Sequence, residues 1–129
     1  MRVLIDTQCW LWMSASPDRL TTKARAIVES TANELYFSAA SAWEIAIKHA
    51  LGRLRLPEPP QRYVPSRVEK LRTRPLAIDQ SHALRVAVLP PHHRDPFDRL
   101  LVAQAQIEDV PILTADPVFA YYDVTVIEA

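Results

Sequence analysis

"VLIDTQCW", residues 3–10, decides how the chain folds. Val3, Leu4 and Ile5 make an uninterrupted apolar run, the pattern of a strand covered on both faces. The run stops at Asp6, and "TQCWLWM" (7–13) continues with helical spacing. A strand that passes directly into a helix is the first half of a β–α unit, from which parallel sheets are built. Asp6 stands at the junction, an acid that is costly to bury, delivered by a core strand to its own C-terminal end. In open α/β sheets, ligands bind outside the C-terminal ends of the strands. That gives Asp6 a reason to be there.

The rest of the chain repeats the alternation. Residues 20–32 carry Leu20, Ala24, Ile27 and Val28 on one helical face. "ELYFS" (34–38) reads as a strand, and "SAASAWEIAIKHALG" (38–52) as a helix capped by serine and stopped by Gly52. The Pro-rich stretch 53–65 reads as an internal connecting loop. Helices are expected over 66–73, 80–89 and 97–109, strands over 75–78, 111–115 and 124–127. A loop is expected over 90–96 and a short helix or turn over 117–122. Together these predict one α/β domain over residues 1–129, with a mostly parallel, helix-covered sheet.

Composition narrows the function classes. The chain has 129 residues, 49% hydrophobic and 23% charged, enough to bury a core as a globular domain. Fifteen basic residues balance fifteen acidic ones, so a nucleic-acid partner needs a local basic patch. The single cysteine, Cys9, sits in an apolar segment with no activating neighbour and reads as a buried core residue of a cytoplasmic protein. No signal-peptide pattern or long apolar span is present, so no membrane association is expected. Gly52 is the only glycine. Gly-rich phosphate loops and dinucleotide fingerprints need several, which excludes both.

Acids then appear where a core is expected. Asp116 follows the strand ending "ILTA", as Asp6 follows "VLI". Asp98 shares a helical face with Leu101, Val102 and Ala105, and Glu44 shares one with Ile47 and Leu51. Each has a structural explanation of its own. Asp6 can cap the helix that begins at Thr7, and Ser41 to Glu44 fits a capping box. Asp95-Pro96-Phe97-Asp98 fits a helix start, and Asp116-Pro117 a turn. Four carboxylates converging on one end of one sheet ask for more than four caps. Crowded anions repel, and a divalent cation relieves them; oxygen ligands without soft ones select Mg²⁺ or Mn²⁺. Such a site activates water and clamps phosphodiester oxygens. Asp79 also follows an expected strand, but its surroundings, "QSHALRV", fit a plain N-cap.

These residues carry a family resemblance. "VLIDTQCWLW" (3–12), "SAASAWEIAIKHALGRLRLP" (38–57), "LPPHHRDPFDRLLVAQA" (89–105) and "ILTADPVFAYY" (112–122) together resemble PIN-domain proteins. They are most similar to the VapC-type toxins of toxin–antitoxin pairs, over nearly the whole chain. The resemblance implies a three-layer α/β/α sandwich and a Mg²⁺- or Mn²⁺-dependent endoribonuclease. It also implies a VapB-like antitoxin, a homodimer within a larger toxin–antitoxin complex, and promoter DNA bound through the antitoxin. Its four acids fall on Asp6, Glu44, Asp98 and Asp116. Asp95 falls in the "RDPFDR" motif as a supporting residue or cap, and Thr7, Ser38 and Thr114 are placed to orient water or phosphate. Gln8 departs from the histidine found in similar chains.

Arg94 and Arg99 flank the acids and are the first candidates for RNA phosphate contacts, ahead of Lys48, Arg53, Arg55, Arg72 and Arg74. His92 and His93 are expected to be exposed loop residues. Of Trp10, Trp12 and Trp43, most are expected in the core, with any exposed one available for base stacking. Apolar residues on more than one side of 43–56 suggest a groove for a partner peptide or a dimer face. A haloacid-dehalogenase-type phosphatase is the rival enzyme, but it needs an acid where Gln8 stands. A receiver-like domain lacks its strand-terminal lysine, and an inactive binding domain is the remaining alternative.

Overall fold

In the computed structural model, which describes residues 1–129, β1 (Arg2–Ile5) is the middle strand of five. The chain continues through α1 (Thr7–Ala15), α2 (Thr22–Glu29), β2 (Glu34–Ser38), α3 (Ala39–Ala50), α4 (Pro60–Lys70) and β3 (Thr73–Leu76). It ends with α5 (Gln80–Arg85), α6 (Pro96–Glu108), β4 (Ile112–Thr114) and β5 (Val126–Glu128). Every strand pair is parallel, and the order is β3-β2-β1-β4-β5. Leu4 registers with Tyr36 on one side and Ile112 on the other.

The apolar run of β1 has its explanation in this position. Val3 and Ile5 point into one core with Trp10, Phe37, Ile45 and Tyr63, while Leu4 points into another with Leu101, Val102, Ile112 and Phe119. Val3, Leu4 and Ile5 are all fully buried, as a strand covered on both faces requires. The two cores make the sandwich: α1, α2 and α4 cover one face, and α6 with the 117–121 turn covers the other. From β1 the chain winds outward to β2 and β3, then returns to place β4 on the opposite side. The gap between β1 and β4 is therefore the topological switch point, where open α/β sheets leave a crevice.

Two expectations fail for identifiable reasons. The stretch read as a loop over 53–65 is helical from Pro60, with Pro65 inside α4. Pro60 occupies the first helical position, where a missing N–H costs little. Tyr63, Val64, Val68 and Leu71 pack on the first core, and that burial overrides the break at Pro65. The third strand runs over Thr73–Leu76 instead of 75–78, because Arg72 ends α4 with a left-handed φ of 55°. Pro75 is tolerated since β3 is an edge strand. Smaller shifts shorten α2 to Thr22–Glu29, split 80–89 into α5 and a 3₁₀ turn, and start β5 at Val126. No helix is long and apolar enough to cross a membrane.

Gly52 stops α3 as expected. Its φ is 71°, its N–H donates to the His49 carbonyl, and the Arg53 N–H donates to the Lys48 carbonyl. This is a Schellman ending, which requires the left-handed conformation. A Cβ at Gly52 would meet nothing within 4 Å, so alanine there suffers only the backbone penalty. Gly52→Ala should lower stability by about 1 kcal/mol, and Gly52→Asn by less, in denaturant unfolding.

Candidate metal centre at the C-terminal edge of the sheet

A cavity of about 320 Å³ opens at the switch point, and five carboxylates line it: Asp6, Glu44, Asp95, Asp98 and Asp116. Asp6 leaves the end of β1, Asp116 follows β4, Glu44 projects from α3, and Asp95 with Asp98 opens α6. Gln8, Lys48 and Arg53 share the walls. A larger cavity, about 670 Å³, lies beside Asn33 and Leu35 at the other end of β2. Its acids Glu29 and Glu34 are ion-paired with Arg25 and Arg74, so the crowded negative charge belongs to the smaller cavity.

The structure separates capping from other roles. Asp6 sits at the N-cap position of α1 but makes no capping bond from its side chain. Its Oδ2 instead accepts from Thr114 Oγ1 at 2.8 Å, and the residue is 7% exposed. Burial, with the charges of Glu44 and Asp116, raises its pKa to about 6 against the opposing Thr114 bond. The capping box expected at Ser41–Glu44 does not form, because α3 starts earlier, with Ser38 as N-cap accepting from the Ala40 N–H at 2.9 Å. Glu44 is thus a mid-helix acid. Its Oε2 pairs with Lys48, while Oε1 is buried and has no partner.

Asp95 is the true cap of α6, accepting from the Phe97 N–H at 2.8 Å and more loosely from that of Asp98. That leaves the Asp98 carboxylate for the cavity. Burial, then the charges of Asp95, Asp6, Glu44 and Asp116, push its pKa up to about 8. Lys48 answers the same field: burial opposes its charge, but the bond and charge of Glu44, with Asp95 and Asp98, raise its pKa. Asp116 makes the turn expected of it and also lines the cavity. Its Oδ1 caps the 117–121 turn through the Val118 N–H at 2.9 Å, and its Oδ2 lies 2.9 Å from His93 Nε2.

His93 corrects the sequence reading. Its side chain is only 8% exposed, set between Phe119 and Tyr122. Ligand atoms of His93, Asp98 and Asp116 all lie within 4.8 Å of one another. Proximity to "RDPFD" was the only hint in the sequence; the aromatic slot comes from residues more than twenty positions later. His92 is exposed as expected. Arg99 is also corrected, since its guanidinium donates to the Val86, Leu89 and Pro90 carbonyls and ties down that turn. Arg94 is exposed.

The hydroxyls divide. Thr114 donates to Asp6 and accepts the Asp116 N–H at 3.0 Å, bracing two acids at once. Thr7 lines the cavity and donates to Ser41 Oγ at 2.7 Å, which makes Ser41 a supporting residue the sequence reading missed. Ser38 is turned away from the cavity, donating to Gln104. Cys9 is buried, its thiol pushed up to about 12 by burial and by Asp6. Trp10 is buried, Trp12 half-buried, and Trp43 is 55% exposed, edge-on to Phe97.

A partnerless buried carboxylate oxygen in a ring of acids is costly unless a cation meets it. The carboxylates around this polar cavity suit a divalent cation, with His93 the one ring nitrogen within reach of them. A five-stranded parallel α/β sandwich with acids gathered at its switch point defines a class of proteins. The profile of the PIN domain family matches residues 3–124, and the chain belongs to that family. Ribonuclease VapC22 of Mycobacterium tuberculosis is 33% identical over 115 residues, 88% of this chain and 86% of that protein. Ribonuclease VapC16 of the same organism is 50% identical over 60 residues, which span 46% of this chain and 43% of VapC16. Among solved structures, Rickettsia felis VapBC2 bound to a promoter DNA fragment shares the fold, with a TM-score of 0.73 at 12% identity, covering 99% of this chain and 98% of the other.

The raised acids set the stability of the metal-free protein. Unfolded, both titrate near 3.8; folded, Asp6 and Asp98 hold their protons to about 6 and about 8. Between those values the unfolded chain has lost protons that the fold retains, so raising the pH favours unfolding. In EDTA, the melting temperature should fall from pH 5 to pH 8.5. Asp98→Asn should flatten the upper part of that profile and leave the lower part; a flat wild-type profile would contradict the charge crowding.

Proposed function

We propose that this chain is the toxin of a toxin–antitoxin pair, a Mg²⁺- or Mn²⁺-dependent endoribonuclease. The observation that carries the reading is the convergence of Asp6, Glu44, Asp98 and Asp116 on one cavity, with Glu44 Oε1 buried and unpartnered. VapC16 and VapC22 are ribonucleases by name, which supports RNA as substrate. The partner is a VapB-like antitoxin, supported by the VapBC complexes that share the fold, some of them DNA-bound. Promoter DNA is reached through that antitoxin, the toxin pairs as a homodimer, and the complex works in the cytoplasm.

Asp6, Asp98 and Asp116 would hold the cation, directly or through water, and Glu44 would ligate it or orient the attacking water. When bound, the cation supplies an activated water and stabilises charge on the phosphodiester oxygens. Thr114 keeps Asp6 and Asp116 in register, so two of these acids cannot drift apart. Lys48 and Arg53, within the cavity, and exposed Arg94 offer positive charge to the phosphates on either side of the cleaved bond. Trp43 offers an exposed aromatic face to a base.

A phosphatase of the haloacid-dehalogenase type is disfavoured because Gln8, itself in the cavity wall, stands where that chemistry needs its second acid. An inactive binding domain has no use for a buried, unpartnered Glu44 oxygen. The test is incubation of antitoxin-free protein with a labelled total-RNA pool, with Mg²⁺ or Mn²⁺ and with EDTA. Discrete cleavage is expected only with the cation. Asp6→Asn and Asp98→Asn should each lose about 10³-fold or more in rate, the scale of a displaced metal ligand. Persistent cleavage in EDTA, or in both variants, would overturn the reading.

A further inference from the structure

His93 is bound at both ring nitrogens. Nε2 lies 2.9 Å from Asp116 Oδ2, and Nδ1 lies 3.1 Å from the Tyr122 hydroxyl. The His93 backbone N–H already donates to that same hydroxyl at 2.8 Å. Counting protons then fixes the ring. The hydroxyl accepts from the backbone, so its single proton is free to donate to Nδ1. Nδ1 is therefore the bare nitrogen, Nε2 carries the proton, and Nε2–H donates to Asp116. The opposite tautomer would set a lone pair against a carboxylate.

The contacts close on themselves. Asp116 Oδ1 caps the 117–121 turn, and that turn carries Phe119 and leads into Tyr122. Their rings hold the imidazole, Tyr122 stacking on it at 5.4 Å and 3° and Phe119 lying 4.8 Å away. The imidazole returns to Asp116 Oδ2. Both oxygens of Asp116 are thereby tethered, although its side chain is 36% exposed and would otherwise rotate freely. One lone pair on each oxygen remains for the cavity. Asp98, 3.9 Å from the same Nε2, is too far to share the hydrogen bond.

We propose that His93 is a positioning residue: locked as the Nε2–H tautomer by Tyr122, it fixes the orientation in which Asp116 faces the cation cavity. This rests on the nuclease reading for the identity of the cation as Mg²⁺ or Mn²⁺. His93 acts through Asp116 and does not itself bind metal. Partners of this kind are worth 10–100-fold in metal affinity as a rule.

Two substitutions separate the hydrogen bond from the packing. His93→Phe keeps an aromatic ring in the slot and removes the donor, while His93→Gln loses the ring and restores an N–H of similar reach. Mn²⁺ affinity, read by calorimetry, should fall about 10–100-fold in His93→Phe and recover most of that loss in His93→Gln. Ring ¹⁵N spectra of the metal-free protein should show His93 protonated at Nε2 and bare at Nδ1. Pulsed EPR of the Mn²⁺-loaded protein should show no directly bound imidazole nitrogen. Unchanged affinity in His93→Phe, equal losses in both variants, an Nδ1–H tautomer or a coordinated nitrogen would each overturn the proposal. Protein that binds Mn²⁺ with this pattern yet cleaves no RNA would instead sink the nuclease reading and support the positioning role.

Discussion

Repulsion among carboxylates at the end of a buried strand is the constraint on which the rest depends. β1 must be apolar on both faces to sit in the middle of the sheet, and its first residue beyond the sheet is Asp6. Desolvation alone would disfavour that charge, and the charges of Glu44 and Asp116 raise its pKa further. The fold tolerates this by holding protons that free carboxylic acids would have released and by placing Lys48 beside Glu44. Both are partial remedies, because Glu44 keeps one oxygen with no partner. Two positive charges delivered at a single point would settle the account for all four acids together.

The strand order makes the convergence possible. Because β1 and β4 are neighbours while the chain leaves in opposite directions around them, their C-terminal ends open a crevice that no connection crosses. Asp6 and Asp116 arrive from these two strands, bridged by the Thr114 hydroxyl. The entry of α6 then supplies Asp95 and Asp98 from one turn, the first spent on the helix N-terminus and the second left for the cavity. Capping and site-building here are different uses of neighbouring acids, and Asp116 does both with its two oxygens.

Much of this was legible in the sequence, for reasons of pattern. A strand buried on two faces announces itself by an unbroken apolar run, and an acid breaking such a run, or a helical stripe, is conspicuous. Asp6, Glu44, Asp98 and Asp116 were found in that way. What escaped notice depended on contacts between distant segments. The helical α4 was masked by prolines that its packing overrides. The burial of His93 depends on Phe119 and Tyr122, which no local pattern connects to it. The carbonyls that occupy Arg99 belong to a turn whose shape is set by the break after α5. Local signals place elements and expose misplaced charges, whereas partners supplied by tertiary packing are invisible until the chain is folded.

A divalent cation entering this cavity must displace the protons that the acid cluster holds without it. Calorimetric titration with Mn²⁺ at pH 7, repeated in buffers of different ionisation enthalpy, measures protons released per cation bound. With Asp98 at about 8 in the free protein, binding should release about one proton at pH 7, falling toward none above pH 9. Binding with no proton release, or no binding at all, would contradict the account.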